Sequence, residues 1–111
     1  MLTASYPASL HPERDGKGFC VRFPDLPEAL TGGDSLHESL IEATDCLAEA
    51  IAGRISRGDT IPKPTMPKRG QRLIPVPLQM VPKLALYLAI RERAVAGVNA
   101  PLAPGSRGRR G

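Results

Sequence analysis

Hydrophobic and polar residues alternate over short segments near the start of the chain, which predicts β-strands. The first predicted strand covers residues 2–10, and Pro7 within it indicates a strand edge or a strand end. The second covers residues 18–23, and turn formers that include Asp15-Gly16 separate it from the first. A third short strand is predicted over residues 28–33, so the chain opens with three consecutive strands.

The apolar spacing then changes to three and four residues, which predicts an amphipathic α-helix over residues 36–57. Ser35 and Glu38 form a capping-box pattern at its start, and Gly58 is placed to end it. One stripe along this helix is predicted to face the sheet, and its members are Leu36, Leu40, Ala43, Leu47, Ile51 and Ile55.

A proline-rich segment, residues 59–71, follows and is predicted to be extended. Residues 72–78 resemble a further strand whose prolines fit only at a sheet edge. A second helix is predicted from Pro82 to Gly97, and its apolar residues favour burial against the body or against a second subunit. Residues 98–111 are predicted to be a disordered basic tail. The order β-β-β-α-β predicts an α+β fold of two layers.

Charge divides the chain into two unlike parts. Residues 1–62 hold five Arg and Lys against ten Asp and Glu, a net charge of −5. Residues 63–111 hold ten Arg and Lys against one acid, a net charge of +9. The acidic part suits a basic protein partner, and the basic part suits a polyanion such as DNA or RNA, although basic tails also serve solubility alone.

Composition narrows the function classes further. No apolar run approaches the length needed to span a membrane, and the first residues lack the pattern of a signal peptide, so a cytoplasmic protein is expected. Cys20 and Cys46 lie far apart and have no Cys or His at ligand spacing. They are expected to be reduced thiols, and neither a metal site nor a cofactor is expected.

An ordered set of motifs resembles the HicB family of antitoxins. The set comprises "YPA" at residues 6–8, "FPDLP" at residues 23–27, the helix opened by Ser35 and Glu38, and "GDTIPKPT" at residues 58–65. The similarity extends over about residues 2–83. It implies a partial, degraded RNase H-like unit over residues 1–81, followed by a helix over residues 82–97 and the tail.

The resemblance also implies a function. Such antitoxins bind a small HicA-type mRNA interferase and block its RNA-cleaving site, and they form homodimers or higher oligomers. Asp25, Glu28 and Asp34 are candidate toxin-binding residues, because a toxin that binds RNA needs a basic surface and an acidic surface competes for it.

Catalysis by the chain itself is not expected. RNase H chemistry needs carboxylates that converge on two metal ions, with one on the first strand, and residues 2–10 contain none. His11 and His37 lack a Ser or Cys partner in the sequence, and no phosphate-binding glycine loop is present. A residual RNase H-like nuclease is therefore the weakest alternative.

A DNA-binding autorepressor is the stronger alternative, because residues 82–98 resemble the first helix of the helix-turn-helix that many relatives carry. Pro101 and Pro104 disfavour a recognition helix after Gly97, so this region looks truncated or replaced. Operator DNA remains a candidate partner, bound in a salt-dependent way. The candidate nucleic-acid-binding residues are Lys83, Arg91, Arg93, Arg107, Arg109 and Arg110.

Overall fold

The computed structural model describes residues 4–99, with side chains through residue 93. The elements are β1 (Ser5–Pro12), β2 (Phe19–Arg22), β3 (Leu30–Gly33), α1 (Leu36–Arg57), β4 (Gln71–Pro75) and α2 (Val81–Asn99). A short 3-10 helix, Leu78–Met80, leads into α2. One four-stranded antiparallel sheet runs in the order β3-β2-β1-β4, so β1 and β2 are inner strands and β3 and β4 are edges.

The predicted α+β class and the predicted order of elements are confirmed. β2 and β3 are each shorter than predicted, and β1 extends two residues further, to Pro12. Residues 1–3, where the first strand was expected to begin, lie outside the described residues.

The bounds of α1 agree with the prediction because local signals set both ends. The Ser35 hydroxyl accepts a hydrogen bond from the Glu38 N–H at 3.0 Å. The Glu38 carboxylate accepts from the Asp34 N–H at 2.8 Å, one residue earlier than in the usual capping box. At the other end, Gly58 adopts φ +75°, and its N–H donates to the Ile55 carbonyl.

One face of the sheet carries the core. Residues paired across strands share a face, as Tyr6 does with Ile74 and Leu10 with Val21, and α1 covers this face. The predicted helix stripe supplies three fully buried members, whereas Leu36 is exposed. The buried core residues are Tyr6, Ala8, Val21, Phe23, Leu26, Ala29, Ala43, Leu47, Ile51, Ile61, Ile74, Val76 and Leu84.

Pro7 lies inside β1, an inner strand by its order in the sheet, and is buried, but β2 does not extend to it, so the predicted edge position holds only locally. Val76 donates its N–H to the Ala4 carbonyl at 2.9 Å, and hydrogen-bonded pairs alternate along an antiparallel ladder. Pro7 and Leu73 form a non-hydrogen-bonded pair, so the backbone nitrogen of Pro7 faces away from β4. It faces the β2 side of the sheet, where β2 has already ended at Arg22. The missing N–H of Pro7 therefore costs no ladder hydrogen bond.

α2 begins one residue before the predicted start and ends two residues after it, at Asn99. Leu84 is buried, and Tyr87 and Leu88 pack against the core. Leu86 and Ile90, on the opposite side of the helix, are 62% and 57% exposed. The predicted burial of this helix against the body is thus confirmed for one face only. The predicted disordered tail, apart from its first two residues, lies outside the described residues.

Candidate functional site

Residues 24–29, in the loop between β2 and β3, include two of the three candidate toxin-binding residues and are here called the acidic loop. Leu26 and Ala29 anchor it in the core. The Asp25 carboxylate accepts two hydrogen bonds from Thr65, from its N–H at 2.9 Å and from its hydroxyl at 3.1 Å. Asp25 thereby ties the proline-rich segment to the acidic loop.

Glu28 makes a bidentate ion pair with Arg54 near the C-terminal end of α1. The Arg54 Nε and Nη2 atoms donate to the two Glu28 carboxylate oxygens at 2.6 and 2.9 Å. The hydrogen bond from Arg54 lowers the pKa of Glu28 to about 2, so Glu28 is ionised at neutral pH. The third donor of the guanidinium, Nη1, reaches the Thr60 carbonyl at 2.8 Å.

Asp34 lies apart from the other two acids. It follows Gly33 at the far end of β3, and four residues of strand separate it from the acidic loop, a distance of about 13 Å. Asp34 is exposed, and its backbone N–H donates to Glu38. The structure therefore brings Asp25 and Glu28 into one loop and leaves Asp34 at the opposite end of the strand.

The candidate nucleic-acid-binding residues also separate into groups. Lys83 and Arg93 are exposed on α2. Arg91 is half-buried, and its Nη1 atom donates to the Gly58 carbonyl at 2.7 Å, while its guanidinium lies 5.6 Å from the centre of the Tyr87 ring. Arg91 thus has intramolecular partners. The remaining three candidates, Arg107, Arg109 and Arg110, lie outside the described residues.

Sequence reasoning missed the residues that connect these groups. Tyr87 donates its hydroxyl to the Asp59 carbonyl at 2.6 Å, and Arg54 reaches Thr60 from the other side. In the sequence, Arg54 is a basic residue near the C-terminus of the predicted first helix, and Tyr87 lies among the apolar residues of α2. Nothing local marks either as a contact to the turn after α1, because both partners are backbone carbonyls.

Other acids of α1 face solvent. Glu42, Asp45 and Glu49 are exposed, and neither of the two ion pairs found among the described residues includes them. Acidic side chains on the outer face of a helix are normally solvated in this way. They extend the negative charge of the N-terminal half along the outer side of α1.

The two thiols are not joined in a disulfide. Cys20 and Cys46 are free and half-buried, and burial raises the pKa of the Cys46 thiol, which favours its protonated form. Among the described residues, no group of three or more His, Cys, Asp and Glu side chains could hold a metal ion. Within the same part of the chain, no helix is long and apolar enough to cross a membrane.

The sheet, its covering helix and the loops pinned to them define a small two-layer α+β domain. Residues 5–85 match the family model described as the HicB_like antitoxin of bacterial toxin-antitoxin systems. The chain therefore belongs to the HicB-like antitoxin family, and the resemblance drawn from its motifs is confirmed.

Individual relatives agree with this assignment. The chain is 40% identical over 84 residues to "Antitoxin HicB 1" of Photorhabdus laumondii, covering 76% of this chain and 52% of that protein. It is 33% identical over 90 residues to "Antitoxin HicB" of Escherichia coli K12, covering 81% of this chain and 64% of that protein. The chain thus spans between half and two thirds of the length of these relatives.

Proposed function

We propose that this chain is an antitoxin that binds a small HicA-type mRNA interferase and neutralises it by covering its RNA-cleaving site. The observation that carries the proposal is the family match over residues 5–85, which coincides with the folded sheet, α1 and the start of α2. A protein that acts in this way needs a stable docking surface and no catalytic centre of its own.

The charge of the domain supports the proposal. An enzyme that cleaves mRNA binds a polyanion and therefore presents cations, and an acidic surface is attracted to those cations at long range. The acidic loop meets this need with an ordered backbone, because Leu26 and Ala29 are buried in the core. A loop that is ordered before it binds loses less conformational entropy on binding.

Co-expression with a small basic toxin from a neighbouring reading frame tests the proposal. We expect the two proteins to purify together and the complex to cleave mRNA at least tenfold more slowly than the free toxin. A chain that folds but neither retains the toxin nor slows its cleavage would refute the antitoxin function. Incubation of the pure chain with RNA and Mg²⁺ tests the nuclease alternative, and we expect the RNA to stay intact.

Charge reversal locates the surface. Asp34→Lys alone, and Asp25→Lys with Glu28→Lys, are expected to weaken toxin binding at least tenfold, and more strongly at low salt than at high salt. Glu92→Lys on the exposed side of α2 makes the same change of charge and serves as the control. Wild-type affinity after reversal at all three acids would show that the toxin docks elsewhere. A urea unfolding curve for each variant separates lost binding from lost folding.

A second function, autorepression through operator DNA, is favoured by the net charge of +9 over residues 63–111 and by the exposure of Lys83 and Arg93. Lys83→Glu with Arg93→Glu is expected to release an operator fragment at lower salt than the wild type does. Equal retention by both proteins would remove these residues from the DNA-binding surface. Cytoplasmic location, assembly into a homodimer or higher oligomer, and a partial RNase H-like origin of the sheet complete the proposal and rest on the family resemblance.

A further inference from the structure

The turn that follows α1, residues 58–60, is held from two sides. On one side, Arg54 donates to the Thr60 carbonyl at 2.8 Å. On the other side, Tyr87 of α2 donates to the Asp59 carbonyl at 2.6 Å, and Arg91 donates to the Gly58 carbonyl at 2.7 Å. Three consecutive backbone carbonyls are thus bound by side chains that belong to two different helices.

The same contacts extend to the acidic loop. Two of the three Arg54 side-chain nitrogens donate to the Glu28 carboxylate, and the third donates to the Thr60 carbonyl. The Thr60 hydroxyl in turn accepts a hydrogen bond from Arg91 Nη2 at 3.3 Å. Because a guanidinium is planar and rigid, the pair with Glu28 fixes the direction in which Arg54 meets the turn. Glu28 and Arg91 share no hydrogen bond or ion pair with each other among the described residues, and Arg54 and the turn form a continuous path of polar contacts between them.

The attachment of α2 to the body depends strongly on these polar contacts. Among the described side chains of the helix, Leu84 alone is buried, and the hydrophobic side chains of Val81, Tyr87 and Leu88 pack against the core only partly buried. Tyr87 and Arg91 lie one turn apart on the same face as Leu84, and both end at the turn. Movement of the turn therefore moves two of the anchors of α2.

We propose that the 58–60 turn couples the acidic loop to α2, so that a partner that draws Glu28 away from Arg54 loosens the hold of the turn on α2. The coupling is a property of this chain alone, and only the identification of that partner as a toxin rests on the proposed function. In this arrangement, occupancy of the acidic loop changes the freedom of the helix that carries Lys83 and Arg93.

A double-mutant cycle between Glu28 and Arg91 tests the coupling without any partner. Glu28→Gln removes the charge that orients Arg54. Arg91→Met removes the hydrogen bonds from Arg91 to the turn while keeping an apolar side chain over Tyr87. We expect the effect of Glu28→Gln on the unfolding equilibrium constant to be at least threefold smaller when Arg91→Met is already present. Effects that multiply independently, to within about twofold, would overturn the proposal. Glu42→Gln, which removes an acid of α1 that has no ion-pair partner among the described residues, is the control and is expected to act independently of Arg91→Met.

Amide hydrogen exchange gives a second test that does not need the Arg91→Met variant to fold. In Glu28→Gln, exchange is expected to become at least threefold faster in residues 58–60 and 81–93 as well as in the acidic loop. Faster exchange confined to residues 24–29 would show that the loop moves without α2 and would overturn the coupling. Since no toxin is present in either experiment, a failed antitoxin function leaves both results interpretable.

Discussion

Gly33→Ala is the most informative single change to the fold, because it adds one methyl group where strand and helix backbones meet. Gly33 ends β3 beneath the first turns of α1. A Cβ atom there would lie 2.7 Å from the Ser39 backbone nitrogen and 3.0 Å from the Glu38 carbonyl carbon. Both neighbours are backbone atoms of a capped helix, so neither can move aside by rotating a side chain.

The magnitude follows from the distances. An ordinary contact of a Cβ atom begins near 3.4 Å, so β3 and the start of α1 must separate by about 0.7 Å. Overpacking of this kind destabilises a fold by about 1–3 kcal/mol. Replacing glycine also lowers the conformational entropy of the unfolded chain, which offsets about 0.4–1 kcal/mol of that loss. We expect Gly33→Ala to be destabilised by about 1–2 kcal/mol, and the melting temperature to fall by about 4–8 °C per kcal/mol.

Gly53→Ala provides the matched control on the same helix. Its added Cβ would meet only the end of the Arg57 side chain, at 3.0 Å, which can swing away. Replacement of a glycine inside a helix by alanine is expected to stabilise the domain by about 0.5–1 kcal/mol. Urea unfolding followed by far-ultraviolet circular dichroism measures both variants. If Gly33→Ala were as stable as the wild type, or as stable as Gly53→Ala, the close approach of β3 to α1 would be refuted.

Two further changes test the polar contacts. The pKa of Glu28 falls from 4.5 to about 2 on folding, so the ion pair stabilises the domain above pH 4.5 and this contribution disappears as the pH falls toward 2. Because the pair is partly exposed, we expect the wild type to lose on the order of 1 kcal/mol more than Glu28→Gln between pH 5 and pH 2 in urea titrations; parallel pH profiles would contradict the pairing. The Ser39 hydroxyl is buried and has no hydrogen-bond partner among the described residues, so Ser39→Ala is expected to leave stability unchanged or raise it by up to about 1 kcal/mol in the same assay. A loss of 1 kcal/mol or more would reveal a partner for this hydroxyl.

The parts of the fold that the sequence predicted best are those set by local chemistry. Both ends of α1 were predictable because the capping contacts of Ser35, Glu38 and Gly58 are made with residues only a few positions away in the sequence. The face that α1 buries was predictable in the same way, since apolar spacing alone determines it. Leu36 departs from this pattern and is exposed, because it lies in the first turn, at the margin of the sheet.

Pro7 shows what local reasoning cannot supply. A proline removes a backbone donor, and its cost depends on whether a neighbouring strand needs that donor. β2 ends at Arg22, which pairs with Ser9, two residues beyond Pro7, so β1 is an inner strand by its order in the sheet but is paired only with β4 at Pro7. The length of the neighbouring strand is a property of the tertiary structure, and the sequence around Pro7 carries no record of it.

In the candidate site, too, the sequence identifies the charged residues but not their partners in the fold. Asp25 and Glu28 stand out in the sequence as acids beside prolines, but their partners Thr65 and Arg54 lie 40 and 26 residues away. Arg91 stands out as a cation of a basic region, but its partner is a backbone carbonyl 33 residues earlier. Charge can be read from a sequence, whereas the use of that charge inside the fold requires the topology.

Some charged residues of the candidate site have intramolecular partners and others do not, and this difference decides which substitutions report cleanly on binding. Asp25, Glu28 and Arg91 hold the segment after α1 to the rest of the domain, so their substitution alters the fold and any partner surface together. Asp34, Lys83 and Arg93 are exposed, and their side chains appear in none of the hydrogen bonds or ion pairs found among the described residues. Substitutions at these three positions therefore report on partners with the least disturbance of the domain. A loss of binding at the first set is evidence for contact only where the unfolding curve is unchanged.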